Sequence, residues 1–501
     1  MHIVHISSEL APIAKVGGLA DVVLGLSREL SWKGHQVDII IPKYDCINKE
    51  QIRELEIIQK DVMSFYQGEW YANTIWRGKV ENLYVYFIES HHPRAFFERG
   101  CFYGCEDDIE RFLYFSRAAL EFIYKSSSHP DIIHLHDWET AIIAPLYQDI
   151  YQPLGFTRSK IVLTIHNMEY QGRCASHDLD YVGLNGMEYH HPDRMQDNLY
   201  PELVNLLKGG IIYSNFITTV SSNYAKEVLT TEGGKGLEFT LLKYQDKFTG
   251  ILNGIDYSYW NPEIDRFLPI HYSAREKPAY EEDRNTIHNK SQLKKILRQK
   301  LKLADDHRPL IGCITRLVPQ KGIDLIKYTM QHIVEKHGQF VLLGSSPIES
   351  IQAEFERLKQ MYTNHPHIHL ILNHQEEMAH LIFGGTDAFI VPSLFEPCGL
   401  TQLIALKYGS VPIVRRTGGL ADTIFDVDHS ERPLKERNGY TFDYPDAVHL
   451  DAALNRALHC WSKEPKKWHQ LMLNGMNIDY SWNRSSNLYL DIYKKVLGQE
   501  G

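Results

Sequence analysis

Short apolar runs alternate with helical patterns along almost the whole of this 501-residue chain. Most of the runs are continuously apolar, which is typical of strands whose two faces are both covered by helices. The alternation predicts an α/β fold with parallel sheets. The predicted strands lie at 2–8, 36–41, 82–89, 131–136, 160–165, 216–221 and 249–252 in the first half, and at 309–315, 339–344, 367–372, 388–392 and 411–415 in the second.

The chain is too long for one ordinary hydrophobic core, so more than one domain is expected. Between the halves, residues 256–308 contain no run that resembles a buried strand, and charged stretches stand at 275–277 and 281–284. We therefore predict two domains and a C-terminal helix that returns to the first of them, at 1–255, 256–482 and 483–501.

Composition and charge narrow the class of protein. The formal net charge of −10 argues against a general nucleic-acid binder, which needs a basic surface. No apolar run is long enough to span a membrane, and the first residues do not have the pattern of a secretory signal. Seven scattered cysteines favour a reducing cytoplasm, and Cys101 and Cys105 are interpreted as ordinary thiols rather than metal ligands.

One pentapeptide, Gly-Gly-Leu-Ala-Asp, occurs twice, at 17–21 and at 418–422, each time between an apolar run and a helical pattern. Paired glycines let a backbone approach a ligand closely, and the N-terminus of the helix that follows attracts an anion. Lys15 is within reach of an anion at the first copy, although a solvated loop lysine is the alternative. The two copies together indicate a phosphate-bearing ligand held between two similar domains.

Charged residues also follow predicted strands in the second half. Arg316 and Lys321 lie in a loop after strand 309–315, where open α/β sheets bind ligands, and their side chains suit the oxygens of a diphosphate. The alternative is a surface pair. Glu396 stands between Phe395 and Pro397 at another strand end, where a carboxylate is often functional, or else caps the helix that begins near Leu400.

Two first-half segments mix polar side chains with aromatic rings at strand ends, as sugar-binding sites do. They are 134–138, which reads His-Leu-His-Asp-Trp, and 166–172, which begins with His166. Histidine near aspartate also suggests a metal, but neither segment has two histidines at helical spacing, and a structural histidine is the commoner outcome.

Several long motifs, in order, resemble bacterial glycogen synthase and plant starch synthase, which form glycosyltransferase family 5. From 166 to 262 and from 308 to 425 the sequence is most similar to the plant starch synthase IV type. The likeness covers nearly the whole chain. It is carried by 15–21, 134–138, 166–172, 192–198, 232–237, 253–256, the loop of Arg316 and Lys321, 395–402 and 416–422.

This resemblance implies the GT-B architecture, with two Rossmann-like domains facing across a cleft, the first on the glucan acceptor side and the second on the nucleotide-sugar side. It implies retaining transfer of glucose from ADP-glucose to the 4-hydroxyl of an α-1,4-glucan such as glycogen, starch or a maltooligosaccharide. No metal or other cofactor is expected, because fixed cations and helix N-termini can neutralise the departing diphosphate. No nucleic-acid or membrane partner is expected.

The resemblance also assigns roles by motif. It places Asp137 and His166 on the sugar-facing wall and Asn253 near the reacting centre. The catalytic residues are then Glu396, Arg316, Lys321, His166 and Asp137, and the donor-binding residues are Lys15, Gly17, Gly18, Asn253, Arg316, Lys321, His374, Gly399, Leu400 and Thr401.

Several alternatives stay open. His374 stands where the family commonly has a tyrosine facing the base, so UDP-glucose is an alternative donor. A non-catalytic glucan-binding or initiation scaffold is an alternative of another class, although Lys15, Arg316, Lys321 and Glu396 are all retained. A phosphorylase would need a longer chain and a pyridoxal-phosphate lysine, and an epimerase would make no polymer. The chain begins directly at the catalytic domain, which is expected of a bacterial or otherwise cytoplasmic protein.

Overall fold

The computed structural model describes residues 1–126, 129–274 and 286–499. The chain divides into two compact units, the first made of Met1–Gly254 with Trp482–Gly501 and the second of Ile255–Ser481. The predicted boundaries each lie one residue from these divisions. The charged stretches at 275–277 and 281–284 lie outside the described residues.

The first unit is built on a mostly parallel sheet. Among its described residues the sheet has nine strands in the order β13-β12-β9-β8-β1-β2-β7-β6-β3, and its pairings are parallel except those of β6 with β7 and with β3. Two small antiparallel pairs, β4 with β5 and β10 with β11, lie outside it. The strands are β1 (His2–Ile6), β2 (Gln36–Pro42), β3 (Arg53–Gln59), β4 (Ser64–Tyr66), β5 (Glu69–Tyr71), β6 (Asn73–Val80), β7 (Leu83–Ser90), β8 (Ile132–His136), β9 (Lys160–Ile165), β10 (Arg173–Cys174), β11 (Val204–Asn205), β12 (Phe216–Thr219) and β13 (Phe248–Gly250).

Helices connect these parallel strands and cover the sheet. The C-terminal helix α18 belongs to this unit, where Trp482, Tyr489 and Tyr493 are buried, so the expected return of the chain is observed. The helices are α1 (Gly18–Trp32), α2 (Asp108–Lys125), α3 (Trp138–Ala141), α4 (Ile143–Leu146), α5 (Gly186–Tyr189), α6 (Leu206–Tyr213), α7 (Ser222–Glu227), α8 (Thr231–Gly234), α9 (Glu238–Lys243) and α18 (Trp482–Val496).

The second unit has a fully parallel sheet in the order β16-β15-β14-β17-β18-β19. Its strands are β14 (Leu310–Ile314), β15 (Gln339–Leu343), β16 (Ile368–Ile371), β17 (Ala388–Val391), β18 (Val411–Arg415) and β19 (Tyr440–Phe442). Its helices are α10 (Thr286–Leu301), α11 (Ile323–His332), α12 (Glu349–Met361), α13 (Glu376–Gly385), α14 (Thr401–Lys407), α15 (Gly418–Thr423), α16 (Ala447–Lys463) and α17 (Pro465–Asn477). Of the described helices, none is long and apolar enough to cross a membrane.

Strand order locates the edge at which ligands are expected. In the first unit the order reverses between β1 and β8, and in the second between β14 and β17. Loops that leave the carboxyl ends of neighbouring parallel strands diverge at such a reversal, which is where open α/β sheets bind ligands. The predicted site residues Lys15, Asp137, Arg316 and Glu396 all lie in loops that follow these four strands.

Candidate active site

The first Gly-Gly motif joins β1 to α1, as predicted. Gly17 is the N-cap residue of the helix and has an extended backbone, with φ of −143°. The Nζ of Lys15 lies 2.8 Å from Oδ1 of Asp21 in an exposed ion pair, so the motif contains its own counter-ion. An anion bound at this helix start would compete with Asp21 for Lys15.

Glu9 occupies the position that the sequence had suggested for a ligand anion. Its Oε2 accepts hydrogen bonds from the N–H groups of Val16 and Gly17, at 2.8 and 2.9 Å, and its Oε1 accepts one from the hydroxyl of Tyr103 at 2.9 Å. The N–H of Gly17 is therefore already engaged. Sequence reasoning missed Glu9, which follows β1 directly and is buried; its place between a strand end and the glycines was the available signal.

Asp137 and His166 come together at the ends of neighbouring strands. Oδ1 of Asp137 accepts a hydrogen bond from the backbone N–H of His166 at 2.6 Å. Asp137 has a positive φ of 57°, a conformation that bulky side chains rarely adopt. Burial raises the pKa of Asp137 to about 7, the N–H groups of His166 and Asn167 oppose this rise, and the charge of nearby Glu9 adds to it. Asp137 thus holds the backbone of His166 by a hydrogen bond and lies within the electrostatic influence of Glu9.

His134 and His136 are inside β8 and fully buried. With His5 they form a cluster whose possible ligand nitrogens lie within 4.8 Å of one another, and imidazole is a common zinc ligand. Both nitrogens of His134 are already hydrogen-bonded, Nδ1 to the hydroxyl of Tyr493 at 2.7 Å and Nε2 to that of Thr164 at 2.6 Å. His134 is therefore engaged as a structural histidine.

Asn253 follows β13 at the end of the first unit's main segment. Its side chain is buried, and its Oδ1 has no hydrogen-bond partner within the described part of the chain. A buried amide oxygen without a donor is costly, so this atom is a candidate acceptor for a ligand group.

Lys321 and Glu396 form the centre of the second unit's predicted site. Nζ of Lys321 lies 2.6 Å from Oε2 of Glu396, which also accepts a hydrogen bond from the hydroxyl of Ser393 at 2.9 Å. Arg316 is exposed, and within the described residues its guanidinium makes no ion pair or hydrogen bond. The unit therefore presents one cation fixed by a carboxylate and one cation that is available.

Close backbone contacts hold the loops of this site together. Gly322 has a φ of 69°, and a Cβ there would lie 2.2 Å from the carbonyl oxygen of Pro392, so only glycine fits between the two loops. In the second Gly-Gly copy, a Cβ on Gly418 would lie 1.9 Å from the oxygen of Glu396, and Gly419 donates its N–H to that oxygen at 3.0 Å. The second copy thus supports Glu396 by packing.

The residues from Gly399 to Thr401 adjoin this centre. Gly399 has a φ of 73°, and Leu400 is the N-cap residue of α14, which begins at Thr401. The side-chain amide of Gln402 donates to the carbonyl oxygens of Cys398 and Gly399, at 3.1 and 2.8 Å, and fixes the turn. Gln402 therefore supports this turn through its side chain.

His374 is separate from the Lys321 pair. It lies in the loop after β16, its side chain is 84% exposed, and Nε2 is 3.0 Å from Oε2 of Glu376. The imidazole is therefore accessible to a ligand, but among the described residues of its unit it makes no hydrogen bond or ion pair with Lys321, Glu396 or Thr401.

Comparison with known proteins gives one family match in each half of the chain. Residues 2–243 match the family model of the starch synthase catalytic domain, and residues 294–471 match that of glycosyl transferases group 1. A glycogen synthase from Protochlamydia amoebophila is 72% identical over 496 residues, which are 99% of each chain. The chain belongs to the glycogen and starch synthase family. As a member of this family it is a glucosyltransferase that elongates an α-glucan, with a nucleotide sugar as donor.

Other members of the glycogen and starch synthase family support this assignment. A probable starch synthase 4 from Arabidopsis thaliana is 49% identical over all of this chain, which matches 47% of that longer protein. The structure of the catalytic domain of starch synthase IV from the same plant superposes with a TM-score of 0.94, at 48% identity and 99% coverage of both chains. A sucrose-phosphate synthase from Thermosynechococcus elongatus, 18% identical over 99% of both chains with a TM-score of 0.62, shares the fold. The fold class is GT-B, as predicted.

Proposed function

We propose that the donor is ADP-glucose and that glucose is transferred with retention to the non-reducing 4-hydroxyl of an α-1,4-glucan. The structure of the 48% identical plant starch synthase IV domain is described as bound to ADP and acarbose, which supports an adenine nucleotide. The glucans expected as acceptors are glycogen, starch and maltooligosaccharides.

The arrangement of Lys321 and Arg316 is the observation that carries this proposal. Breaking the bond between glucose and the diphosphate places negative charge on the departing group. Lys321 is held by Glu396 at 2.6 Å before any ligand arrives, and Arg316 stands exposed in the same loop with its guanidinium available to a second diphosphate oxygen. A preorganised charge or donor at a leaving group is worth about 3 kcal/mol of barrier.

Glu396 is proposed to orient the donor glucose through its hydroxyls. Its Oε2 already binds Lys321 and Ser393, so the carboxylate is held in place and lies beside the cation that would neutralise the departing diphosphate. We therefore propose a same-face substitution in which the leaving diphosphate is neutralised, without a covalent glucosyl–enzyme intermediate.

We further propose that catalysis needs no divalent metal, since Lys321 and Arg316 supply the positive charge that a metal supplies in other transferases. We also propose a cytoplasmic location. The seven cysteines are free thiols, which suits a reducing compartment, and the Protochlamydia relative is a bacterial glycogen synthase.

UDP-glucose is the second candidate donor, because His374 is exposed at the position expected to face the base and stacks more weakly than tyrosine. A non-catalytic scaffold would be distinguished by making no polymer from either donor.

The test is incorporation of labelled glucose into glycogen from ADP-glucose and from UDP-glucose, with and without a chelator. We expect polymer from ADP-glucose in both conditions, and Lys321→Ala is expected to lower kcat by about 100-fold or more. Lys336→Ala is the matched control, because Lys336 is equally buried (20% against 18% exposed) and pairs with Asp451 at 2.8 Å. Preference for UDP-glucose would refute ADP-glucose as the donor. Loss of activity with the chelator would refute metal-independent catalysis, and equal rates for Lys321→Ala and Lys336→Ala would refute the role of Lys321.

A further inference from the structure

A row of polar side chains crosses one face of the first unit's sheet. His5 on β1 is in register with His134 on β8, and His136 is in register with Thr164 on β9. Residues in register on neighbouring strands point to the same face, and residues two apart on one strand do so as well. All four side chains are fully buried.

Three of the histidines in the first unit form a hydrogen-bonded chain that ends at the candidate active site. Nδ1 of His5 lies 3.0 Å from Nε2 of His136, and Nδ1 of His136 lies 3.0 Å from Nε2 of His166. Burial lowers the pKa of His5 and of His166 to about 3, and that of His136 well below its ordinary value. The three rings are therefore neutral at ordinary pH, and each carries one proton.

The hydrogen bonds between these three neutral rings can run in one of two directions, because each nitrogen–nitrogen contact contains one proton. Either every ring donates toward His166, or every ring donates toward His5. The two directions differ at the far end, where Nε2 of His5 is buried and has no partner among the described residues.

The unpartnered Nε2 of His5 decides between the directions. If the chain donated toward His5, this atom would carry a buried N–H without an acceptor. If the chain donates toward His166, the atom is a lone pair. Buried N–H groups without partners are rarer in proteins than under-satisfied acceptors. The second direction is favoured, and it requires the proton of His166 to be on Nδ1.

We propose that His136, in a chain that ends at His5, is a positioning residue that fixes the tautomer of His166. His166 then donates, rather than accepts, a hydrogen bond at Nδ1, which has no partner within the described part of the protein and belongs to a half-buried ring. The ligand group selected there is an acceptor oxygen such as a sugar hydroxyl. The ligand part of this inference rests on the proposed function, whereas the tautomer does not.

The experiment is a long-range proton–nitrogen correlation spectrum of the ligand-free protein labelled with ¹⁵N in its imidazoles, with His166 assigned by the signal lost in His166→Gln. In the parent we expect a protonated Nδ1 and an unprotonated Nε2 on His166. In His136→Phe the partner of Nε2 is gone, and we expect His166 to shift toward the Nε2–H form that free histidine prefers. His134→Phe is the matched control, because His134 is equally buried and stacked on His136 but bonds to Thr164 and Tyr493 instead.

A proton on Nε2 of His166 in the parent would overturn the proposal, as would an unchanged tautomer in His136→Phe or the same change in His134→Phe. Zinc bound to the purified parent, measured by elemental analysis, would also overturn it, because a metal at His5, His134 and His136 would replace these hydrogen bonds. If His136→Phe does not fold, the parent spectrum alone still decides the direction of the chain.

Turnover is the second readout. We expect His136→Phe to lower kcat/KM by roughly five- to tenfold, as the loss of one hydrogen bond to an uncharged acceptor does, and His134→Phe to keep the parent value. A parent that makes no polymer would refute the proposed function and leave the tautomer result standing.

Discussion

At the scale of single residues, the structure shows which partners the predicted charged residues have. Lys321 and Glu396 are 75 residues apart in the sequence and 2.6 Å apart in space, and both were predicted without being paired. Glu9 was not predicted at all, although it binds the N–H groups of Val16 and Gly17. Pattern reasoning marks residue types at strand ends, but it does not show which of them meet.

Asp137 is expected to make the protein less stable as the pH rises from about 4 to about 7. Its pKa is raised from 3.8 to about 7, chiefly by burial, so unfolding releases a proton throughout this window and stability falls, then stays level above it. The stability of Asp137→Asn relative to the parent should therefore increase by on the order of 4 kcal/mol between pH 4 and pH 8. Denaturant unfolding at several pH values measures this difference.

Asp131→Asn is the control of opposite sign. Burial alone would raise the pKa of Asp131, but the N–H of His2 and the guanidinium of Arg158 lower it. The stability that the ionised Asp131 gives the parent over this variant is therefore lost as the pH falls. Glu9 and Glu139 are the acidic groups that interact with Asp137. If the difference in free energy of unfolding between Asp137→Asn and the parent did not change with pH, the raised pKa of Asp137 would be contradicted.

At the scale of elements, most of the apolar parallel strands were predicted. The short parallel strand β19 was not, and neither were the antiparallel strands, among them β3 and β6. β3 has no buried residue, and β6 begins directly after the small hairpin of β4 and β5. β3 lies at the edge of its sheet and pairs with one neighbouring strand only. Because none of its residues is buried, its sequence has no apolar pattern from which a strand could be predicted. The helical patterns expected after the two Gly-Gly copies are α1 and α15, which begin at Gly18 and Gly418.

Gly25→Ala is expected to weaken the packing of α18 on α1. A Cβ at Gly25 would lie 2.0 Å from Nε1 of the buried Trp482 indole. Alanine stabilises a helix by about 1 kcal/mol relative to glycine, but overpacking costs about 1–3 kcal/mol, so we expect a net loss of stability in thermal unfolding. Ser31→Ala, on the same helix, should change stability little. A variant more stable than the parent would show that the indole moves aside without cost.

At the scale of the whole molecule, the two units are not consecutive stretches of chain. The first unit is completed by α18 after the second unit has been traversed. Its Tyr493 bonds to His134 of β8, and Ser485 bonds to the carbonyl oxygen of Leu252 at 2.5 Å. The polar row beneath the C-terminal helix therefore depends on residues at both ends of the sequence.

Deletion of residues 482–501 is expected to destabilise the first unit selectively. The deletion removes three buried aromatic side chains, each worth about 1.5–3 kcal/mol of burial, and it exposes the ring of His134. Hydrogen exchange followed by mass spectrometry should show faster exchange in peptides from 1–254 and little change in those from 286–481. Deletion of 498–501, beyond α18, is the control. Uniformly faster exchange would contradict a selective role.

The sequence alone determined the parallel α/β construction, the two-unit division and the family, because apolar periodicity and contiguous motifs are local properties of a chain. Only the tertiary structure decided that Glu9 occupies the first Gly-Gly turn, that the second copy packs against Glu396, and that His5, His136 and His166 form one chain. These contacts join side chains on different strands and loops. Their distances follow from sheet order and register, which the one-dimensional pattern does not contain.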